Sequence, residues 1–545
     1  MLKRKIIIYG KNRYQRDFEY IFNEYEADYY IDEKENINGV YHFSKLREEK
    51  FEEIFVIICM SLSEQHKAKD NLKGLGLQEG QHFVLMQDVF RTLDYDIYKN
   101  IADKKVVLWG TGDVAKRFVG KLPEVYPDLK LDYIVDNDIN KVGTVFLGKE
   151  IITMDDLDKS EDYFFIIGIA EYKYQQLNKY LQTKAIKANY TYAAQLLFDK
   201  PSELLKRTIF DDRQYKMPIC SKMNDLRILS NGYITPCCMC SKINLGNIFC
   251  NSISEVWDSI YEKIFRLSVL NRTYSFCDPI ICPYMIQQET EESKVFNYKD
   301  VKPAKPNRML LETDASCNIM CVSCREHIFK VENDFYEAYT NRIIENYIEG
   351  CNRMILSGNG EVFASKYAKK IIASKQSKEK KEISILTNGF ALNEYNWKKY
   401  LDDYEIVNVS ISIDAGTKNT YEKIRRGSNW DILNENLAYI KQRKEEGKVK
   451  FFQINYVAQK MNIHEMKEFI ELGKKYKVDR VVINRLDDWG ISNNWYEENS
   501  IVDEGGILIK EEYRGYFDEI KDEEIVDFNK LAFQLGRTPK EPHMW

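Results

Sequence analysis

Long hydrophobic runs and an excess of charge of either sign are both missing from this sequence of 545 residues. No stretch approaches the roughly 18 apolar residues that a membrane-spanning helix requires. Lysine and arginine number 79 against 85 aspartate and glutamate, so the formal net charge is only -6. General attraction to nucleic acid or acidic lipid is therefore not expected. Binding to a small or locally recognised substrate is the better starting assumption.

The basic N-terminus, MLKRKIIIYG, has an apolar run too short for the core of a signal peptide, and it passes directly into a strand-and-turn pattern. We therefore expect a cytoplasmic protein whose cysteines are reduced thiols. In that setting, grouped cysteines indicate metal binding or catalysis rather than a disulfide framework. Cys59 is alone in the first 219 residues, ten of the twelve cysteines lie between Cys220 and Cys324, and Cys351 follows closely.

The first 200 residues contain two copies of one α/β unit. Each copy begins with a hydrophobic strand that ends in glycine, KIIIYG in the first and KVVLWGTG in the second, and a helical pattern follows. The next strand ends in aspartate, at Asp32 and Asp136, before a later buried strand. Strands that alternate with helices predict parallel sheets with crossover helices. We expect two Rossmann-like modules.

The whole chain is predicted to be α/β, with modules at residues 1-98 and 99-200. Residues 201-300 have cysteines, frequent turns and no long apolar run, which favours a small domain built round metal. From 301 to 490, strand patterns such as RMLLETD, EISILTNG and IVNVSISID alternate with amphipathic helices. This alternation predicts a partial or complete parallel (β/α) barrel. Residues 491-545 are acidic and aromatic-rich and are predicted to form a helical tail.

Three cysteines follow the first predicted barrel strand in the run TDASCNIMCVSCREH, with the spacing Cys317-x3-Cys321-x2-Cys324. Three thiolates on a short loop can hold three irons of a [4Fe-4S] cubane and leave the fourth iron open for a cofactor. A structural zinc knuckle or a chance grouping is the alternative. This spacing after the first barrel strand resembles the defining motif of the radical S-adenosylmethionine (SAM) superfamily.

The resemblance implies that the open iron binds SAM and that one electron cleaves it to a 5'-deoxyadenosyl radical, which abstracts a substrate hydrogen. A flavodoxin- or ferredoxin-type electron donor is expected with it. Downstream, SGNGE follows the second strand and resembles the family's Gly-Gly-Glu type motif. Gly358 and Gly360 would let the backbone approach closely, while Glu361 would offer its carboxylate to the methionine ammonium.

Two later segments also match the family by their order along the barrel. SISIDAG places Ser412 and Asp414 at a strand end, where the resemblance implies contact with the ribose. YEKIRRG supplies Arg425, which matches the arginine that binds the SAM carboxylate. Taken singly, SGNG could instead be only a turn and Arg425 only a solvated helix charge. TNG, at Thr387 to Gly389, is predicted to be a structural turn.

A second group of cysteines lies upstream, with the pattern Cys220-x11-Gly232-x4-Cys237 followed by Cys277 and Cys282. It resembles the SPASM domain, which carries auxiliary iron-sulfur clusters. The resemblance implies one auxiliary [4Fe-4S] cluster held by these four cysteines, and a four-cysteine zinc site is the alternative.

The SPASM-like segment precedes the barrel rather than following it, so we expect it to pack back against the barrel mouth. Three other cysteines of this segment could replace one of the four ligands or take no part in binding: Cys238, Cys240 and Cys250. Cys351 is expected to be a buried core residue. An auxiliary cluster could accept an electron from a substrate radical, bind substrate or relay electrons, and the sequence does not choose among these.

The second N-terminal module contains Gly110-x-Gly112-x2-Ala115 after a strand, with Asp136 at the end of the next strand. This spacing suits a phosphate at a helix N-terminus and a ribose at the acid. The following segment, DNDINKVGTVFLGKEI, resembles small modules of surface-polysaccharide enzymes, including nucleotide-sugar acyltransferases. Binding of a nucleotide or nucleotide sugar and a purely structural role both remain open.

These features predict a radical SAM enzyme that acts on a sugar, nucleotide sugar or surface-glycan precursor. A peptide- or protein-modifying radical SAM/SPASM enzyme is the first alternative. A non-enzymatic, zinc-bound nucleotide sensor is the second, and it predicts a colourless protein.

Overall fold

The described part of the chain forms two compact units, Met1–Asp212 with Arg266–Ser268, and Arg213–Phe265 with Val269–Trp545. The computed structural model describes residues 4–33, 39–158, 160–174, 188–213, 215, 219–237, 240, 242–278, 282, 285, 302–325, 327–374, 380–488, 495–503 and 508–537. Within these residues, no helix is both long and apolar enough to cross a membrane.

The first module is a parallel five-stranded sheet in the order β3-β2-β1-β4-β5. Its central strands are buried, as Ile7, Val56 and Ile58 illustrate. The strands are β1 (Lys5–Tyr9), β2 (Tyr29–Asp32), β3 (Val40–His42), β4 (Ile54–Ile58) and β5 (Phe83–Leu85), and the helices are α1 (Arg13–Ile21), α2 (Gln65–Gly74), α3 (Met86–Phe90) and α4 (Ile97–Ile101).

The second module repeats this plan with a six-stranded sheet in the order β11-β10-β6-β7-β9-β8. Only the β8-β9 pair is antiparallel. The strands are β6 (Lys105–Trp109), β7 (Tyr133–Val135), β8 (Val145–Phe146), β9 (Lys149–Ile152), β10 (Tyr163–Ile167) and β11 (Ala188–Tyr192), and the helices are α5 (Asp113–Val125), α6 (Ala193–Leu196) and α7 (Pro201–Ile209). The two predicted parallel modules are confirmed.

The second unit is organised round a ten-stranded sheet in the order β14-β13-β12-β15-β17-β18-β19-β21-β22-β23, with β16 and β20 paired separately. Its strands are β12 (Asp225–Ile228), β13 (Tyr233–Thr235), β14 (Gly246–Asn247), β15 (Arg308–Thr313), β16 (Met320–Cys321), β17 (Arg353–Gly358), β18 (Glu382–Thr387), β19 (Glu405–Ser412), β20 (Arg425–Arg426), β21 (Val449–Ala458), β22 (Arg480–Arg485) and β23 (Val526–Asp527). From β15 to β23 the neighbouring strands of the large sheet are parallel, so the predicted partial barrel is confirmed.

Helices follow the barrel strands as the alternating pattern predicts. The cysteine-rich segment has its own helices before β15, α8 (Ile253–Trp257) and α9 (Ile260–Leu270). The helices that follow barrel strands are α10 (Asp334–Asn346), α11 (Lys366–Ala373), α12 (Glu394–Asn396), α13 (Lys418–Ile424), α14 (Trp430–Glu445) and α15 (Met466–Lys475), and α16 (Trp495–Asn499) and α17 (Glu511–Asp518) lie between β22 and β23. The predicted helical tail is mixed, because β23 pairs with β22 and so extends the sheet.

The cysteine-rich segment joins the barrel sheet itself. Strand β12 runs parallel to β15, with Asp225 opposite Arg308, and β13 and β14 continue the sheet as antiparallel neighbours. Arg308 Nε donates to Asp225 Oδ1 at 2.9 Å. The segment is attached by edge-to-edge strand pairing, which satisfies the backbone groups that an open edge strand would leave unpaired. The turn after β12 lies at the carboxyl end of β15, where Ser230 N donates to Glu312 Oε2 at 3.2 Å.

Candidate functional site

The segment from Asp314 to Arg325, called the cysteine loop below, begins where β15 ends. Asp314 is buried, accepts a hydrogen bond from Ser316 N at 2.8 Å and also accepts one from the hydroxyl of Ser365. Further along the loop, Cys324 N donates to Cys321 O at 3.0 Å. The loop is therefore held by its own hydrogen bonds, with Cys317 buried, Cys321 half-buried and Cys324 exposed.

The three thiols of this loop are close enough to act on one another electrostatically. Burial raises the pKa of Cys317, and it raises the pKa of Cys321 to about 11, where Arg425 acts in the opposite direction. Thiolates are needed to bind iron, and metal coordination itself favours the deprotonated form. Three sulfur ligands beside cationic guanidinium groups therefore fit a cluster of iron and sulfide.

Gly360 lies where the SGNGE motif packs on the cysteine loop. A Cβ at this position would fall well inside contact with the carbonyl oxygens of Asp314 and Ser316, and 2.9 Å from the carbonyl carbon of Ala315. Next to it, Glu361 N donates to Ser316 O at 2.7 Å. The motif thus fixes the start of the cysteine loop against the end of β17, and only glycine leaves room for this approach.

The Glu361 carboxylate is buried and engaged by its own chain. It accepts hydrogen bonds from Thr387 Oγ1 at 2.6 Å, from Asn388 N at 2.7 Å and from Phe363 N at 3.3 Å. Burial raises its pKa although these bonds oppose the rise. The TNG segment is therefore a turn, as predicted, and it also holds Glu361. The role of Glu361 as a ligand of the methionine ammonium stays a prediction.

Asp414 and Arg425 form a buried ion pair of 2.5 Å. Asp414 has a left-handed backbone with φ of 63° and also accepts from Val457 N at 2.8 Å. Burial acts to lower the pKa of Arg425, but the charges of Asp414, Cys321 and Tyr421 and the hydrogen bond with Asp414 together raise it. Arg425 Nη1 lies 3.7 Å from Cys321 Sγ, and β16 pairs with β20. Predicted SAM contacts thus meet the cysteine loop directly.

Ser412 and Gly358, two further predicted contacts, lie at strand ends beside this site. Ser412 ends β19 opposite Asn455 of β21, and Gly358 ends β17 opposite Thr313 of β15. Because the carboxyl ends of parallel strands meet at one edge of the sheet, both residues lie at the same end as the cysteine loop.

The upstream cysteines converge at the other end of the sheet. Burial raises the pKa of Cys220 to about 12, and the charges of Cys282 and Cys277 contribute to the rise. A hydrogen bond with Cys240 is the main cause that raises the pKa of Cys277. Cys237 faces Cys240 across an isolated bridge. The structure therefore brings the four predicted cysteines together with Cys240, while Cys238 lies outside the described residues.

The two groups of cysteines lie at opposite ends of strand β15. Cys220 precedes β12, which is parallel to β15, and Cys237 follows the antiparallel strand β13, so both lie at the amino end of β15. The cysteine loop follows the carboxyl end of β15. The strand has six residues, so the two groups are separated by roughly 20 Å at about 3.3 Å per residue.

The glycine-rich loop of the second N-terminal module is closed by contacts of its own. Asp136 Oδ2 accepts from Thr111 N at 3.0 Å and Thr111 Oγ1 at 2.6 Å, and Lys141 Nζ lies 3.2 Å away. Gly110 has φ of 98°, and Gly112 begins α5 without a side-chain cap. Nucleotide binding by Gly110, Gly112 and Asp136 stays a prediction.

The first module has Asn12 at the position that corresponds to Gly112. Its side-chain oxygen accepts from Tyr14 N at 2.8 Å and Gln15 N at 3.3 Å and so caps α1. A capping side chain occupies the backbone donors that would bind a phosphate. In sequence, too, the first module has GKNRYQ where the second module has its glycine-rich loop.

Three residues outside the predicted ligand sets lie beside these cysteines, and Cys240 is among those that the sequence left open as replacements. Asn388 Nδ2 lies 3.9 Å from Cys317 Sγ, Arg325 Nη2 lies 3.5 Å from Cys324 Sγ, and Cys240 contacts Cys277. The TNG turn and the arginine directly after the third cysteine were the available signals. Among the described residues, no three Cys, His, Asp or Glu side chains converge as ligands of a single metal ion. Cubane ligands bind different iron atoms and need not converge on one point.

Comparisons with known proteins match the two cysteine-bearing parts of the chain. Residues 314–473 match the radical SAM superfamily, and residues 220–283 match the iron-sulfur cluster-binding domain SPASM. A probable GTP 3',8-cyclase of Saccharolobus islandicus is 26% identical over 189 residues, which are 34% of this chain and 58% of the relative. A probable GTP 3',8-cyclase of Methanococcus aeolicus is 22% identical over 212 residues, 38% of this chain and 69% of the relative.

Two solved structures are more distant. Streptococcus suis SuiB bound to S-adenosylmethionine is 14% identical with a TM-score of 0.29, covering 40% of this chain and 48% of SuiB. Native anSMEcpe with bound AdoMet is 18% identical with a TM-score of 0.30, covering 43% of this chain and 63% of that protein. The resemblance given by the cysteine spacings is confirmed by the two domain matches: the chain carries a radical SAM domain at residues 314–473 and a SPASM domain at residues 220–283 that precedes it.

Proposed function

We propose that this protein is a radical SAM enzyme in which Cys317, Cys321 and Cys324 hold the SAM-binding [4Fe-4S] cluster. The observation that carries the proposal is the cysteine loop itself. Three mutually close thiols follow the first barrel strand, β15. The start of their loop is held by the close approach of Gly360, which follows the second barrel strand, β17. When bound, the cluster supplies the electron that cleaves SAM to the 5'-deoxyadenosyl radical, which abstracts a substrate hydrogen. The chain's own residues position the cluster and SAM.

The residues round the loop support distinct roles in this positioning. The Glu361 carboxylate accepts hydrogen bonds from three groups, two of them in Thr387 and Asn388. Its amide donates to Ser316 O and so connects these residues to the cysteine loop. Arg425 is paired with Asp414, and together they set one wall beside Cys321. The resemblance implies that Ser412 and Asp414 contact the ribose of SAM and that Arg425 binds its carboxylate.

The proposal is tested with anaerobically reconstituted wild-type protein. We expect the electron paramagnetic resonance (EPR) signal of the reduced protein to change when SAM is added, because SAM would bind an iron that lacks a protein ligand. With dithionite, 5'-deoxyadenosine should form and can be quantified by chromatography. A cubane signal that ignores SAM would contradict the proposal, and a colourless zinc protein would support the sensor alternative.

We also propose an auxiliary [4Fe-4S] cluster at the SPASM cysteines, with Cys240 as one of its ligands. Support comes from the side-chain hydrogen bond between the thiols of Cys240 and Cys277. The thiol of Cys220 is also close enough to those of Cys277 and Cys282 for their charges to affect its pKa. Cys240 is fully buried, and its sulfur lies 3.2 Å from Phe276 O. Cys220, Cys240, Cys277 and Cys282 supply the four thiolates that a cubane requires, and the backbone of Cys237 forms a bridge with that of Cys240.

Replacing Cys240 by alanine is therefore expected to lower the iron content from about eight atoms per chain towards about four, given four irons per cubane. Iron and sulfide analysis measures this directly. Cys250→Ala is the matched control, because Cys250 follows β14 and lies near Tyr347 of the barrel. Full iron and an unchanged spectrum in Cys240→Ala would mean that Cys237 supplies the ligand instead.

For the substrate, we propose a sugar, nucleotide sugar or surface-glycan precursor. Support comes from the barrel interior, where Ser410 Oγ accepts from Gln453 Nε2 at 3.0 Å and Asn455 Nδ2 at 2.7 Å. A Cβ on Gly389 would meet both Ile411 and Leu433 of α14, so the side chain of Ile411 faces the helices. Successive residues of a strand point to opposite faces, so the side chain of Ser410 faces the barrel interior. Uncharged amides and hydroxyls suit a hydroxyl-rich substrate better than a charged peptide.

The substrate class can be tested by the rate of 5'-deoxyadenosine formation. Nucleotide sugars are expected to raise this rate at least about tenfold above the rate without substrate. Short peptides of matched concentration are the comparison. A rise with peptides and none with nucleotide sugars would favour the peptide-modifying alternative and leave the radical SAM assignment intact.

A further inference from the structure

Arg325, directly after the third cysteine, makes three hydrogen bonds with one planar guanidinium. Its Nη2 donates to Cys324 Sγ at 3.5 Å and to the carbonyl oxygen of Asn359, and its Nη1 donates to Ala315 O at 2.7 Å. The rigid fork of arginine suits such divergent contacts.

Arg325 differs from Arg425, which also lies beside a cysteine of the loop, in whether a carboxylate pairs with it. Arg425 is neutralised by Asp414 at 2.5 Å. Within the described part of the chain, no carboxylate lies at ion-pair distance from Arg325. Its positive charge therefore acts on the cysteine sulfurs without local compensation, in surroundings where the effective dielectric is lower than in water.

Arg325 is connected to the SPASM domain by a short chain of contacts. Asn359, whose carbonyl oxygen accepts from Arg325, donates through Nδ2 to Ser230 Oγ at 3.0 Å. Ser230 belongs to the turn between β12 and β13, and its amide donates to Glu312 Oε2 at 3.2 Å. Glu312 also accepts from Arg227 Nε at 2.8 Å. The hairpin of the SPASM domain thus holds the segment that orients Arg325.

We propose that Arg325 is a positioning residue that raises the reduction potential of the cluster on the cysteine loop, and that Ser230 of the SPASM hairpin keeps it in place through Asn359. The inference rests on the proposed function. A hydrogen bond and a positive charge at a cluster sulfur stabilise the reduced cluster, which carries one more negative charge. Entry of the first electron then depends on a correctly folded SPASM domain.

The test is an EPR-monitored redox titration of reconstituted protein without SAM, after the iron content has been measured. Arg325→Gln is expected to make reduction about tenfold less favourable, equivalent to about 59 mV for one electron. Arg325→Lys keeps the charge and should shift the equilibrium less. Arg426→Gln is the matched control, because Arg426 is exposed and its Nε contacts Met320 O at 3.3 Å instead of a sulfur.

An unchanged potential in Arg325→Gln with full iron would overturn the inference. Should that variant fail to load iron, Ser230→Ala decides, because Ser230 is remote in sequence from the cysteine loop and is not among the proposed cluster ligands. A lower potential in Ser230→Ala supports the inference, and an unchanged one contradicts it. A wild-type signal that ignores SAM contradicts the proposed function instead, so the two failures are distinguishable.

Discussion

Replacement of Cys317, Cys321 and Cys324 together by alanine is expected to abolish 5'-deoxyadenosine formation and to lower the iron content from about eight to about four atoms per chain, given four irons per cubane. The three thiols are the ligands that the cysteine loop offers, so no cluster remains to take up an electron there. The auxiliary cysteines lie at the amino end of β15, outside this loop. Iron analysis and chromatography of the reaction mixture measure both effects.

The single variant Cys317→Ala should abolish 5'-deoxyadenosine formation in the same way, and Cys351→Ala is its matched control. Cys351 is also a buried barrel cysteine, but its sulfur contacts Ile348 O at 3.7 Å. We expect Cys351→Ala to retain its iron. Continued 5'-deoxyadenosine formation by Cys317→Ala would contradict the assignment of the cysteine loop as the SAM-binding site. A triple variant without any iron would contradict the auxiliary cluster at the SPASM cysteines.

Gly360→Ala is expected to reduce SAM cleavage about 100-fold while leaving the auxiliary iron in place. The new Cβ would collide with backbone atoms of Asp314, Ala315 and Ser316, which cannot rotate away as a flexible side chain would. The start of the cysteine loop must therefore move, and a displacement of about 1 Å in an active site costs about 100-fold in rate. The rate of 5'-deoxyadenosine formation and the EPR signal of the SAM-binding cluster measure the effect.

Gly515→Ala provides the control for this substitution within the same unit. Gly515 lies inside α17, and a Cβ there meets nothing within 4 Å. Alanine is favoured over glycine in a helix by up to about 1 kcal/mol, so the melting temperature should be unchanged or slightly raised. If Gly360→Ala cleaves SAM as fast as Gly515→Ala, the contact between SGNGE and the cysteine loop does not position the cluster.

Some contacts of the candidate site were beyond reach of the sequence because their partners are far apart in the chain. The bonds from Thr387 and Asn388, at the end of the next strand, to the oxygens of Glu361 are of this kind. So is the pair between Arg425 and Asp414. Such choices depend on which side chains share one small volume, and motif spacing does not contain that information. The predicted roles of Glu361 and Arg425 towards SAM stay predictions.

The sequence by itself determined the order of parallel strands and helices and the three-cysteine loop after β15, because hydrophobic period, strand-end glycines and motif spacing are local properties. Only the tertiary structure decided that β12 pairs with β15, that Cys240 meets Cys277 and that Ser230 reaches Asn359. These contacts join residues distant in sequence. They form when sheet edges are paired and buried polar groups find partners, and that competition is settled by the whole fold.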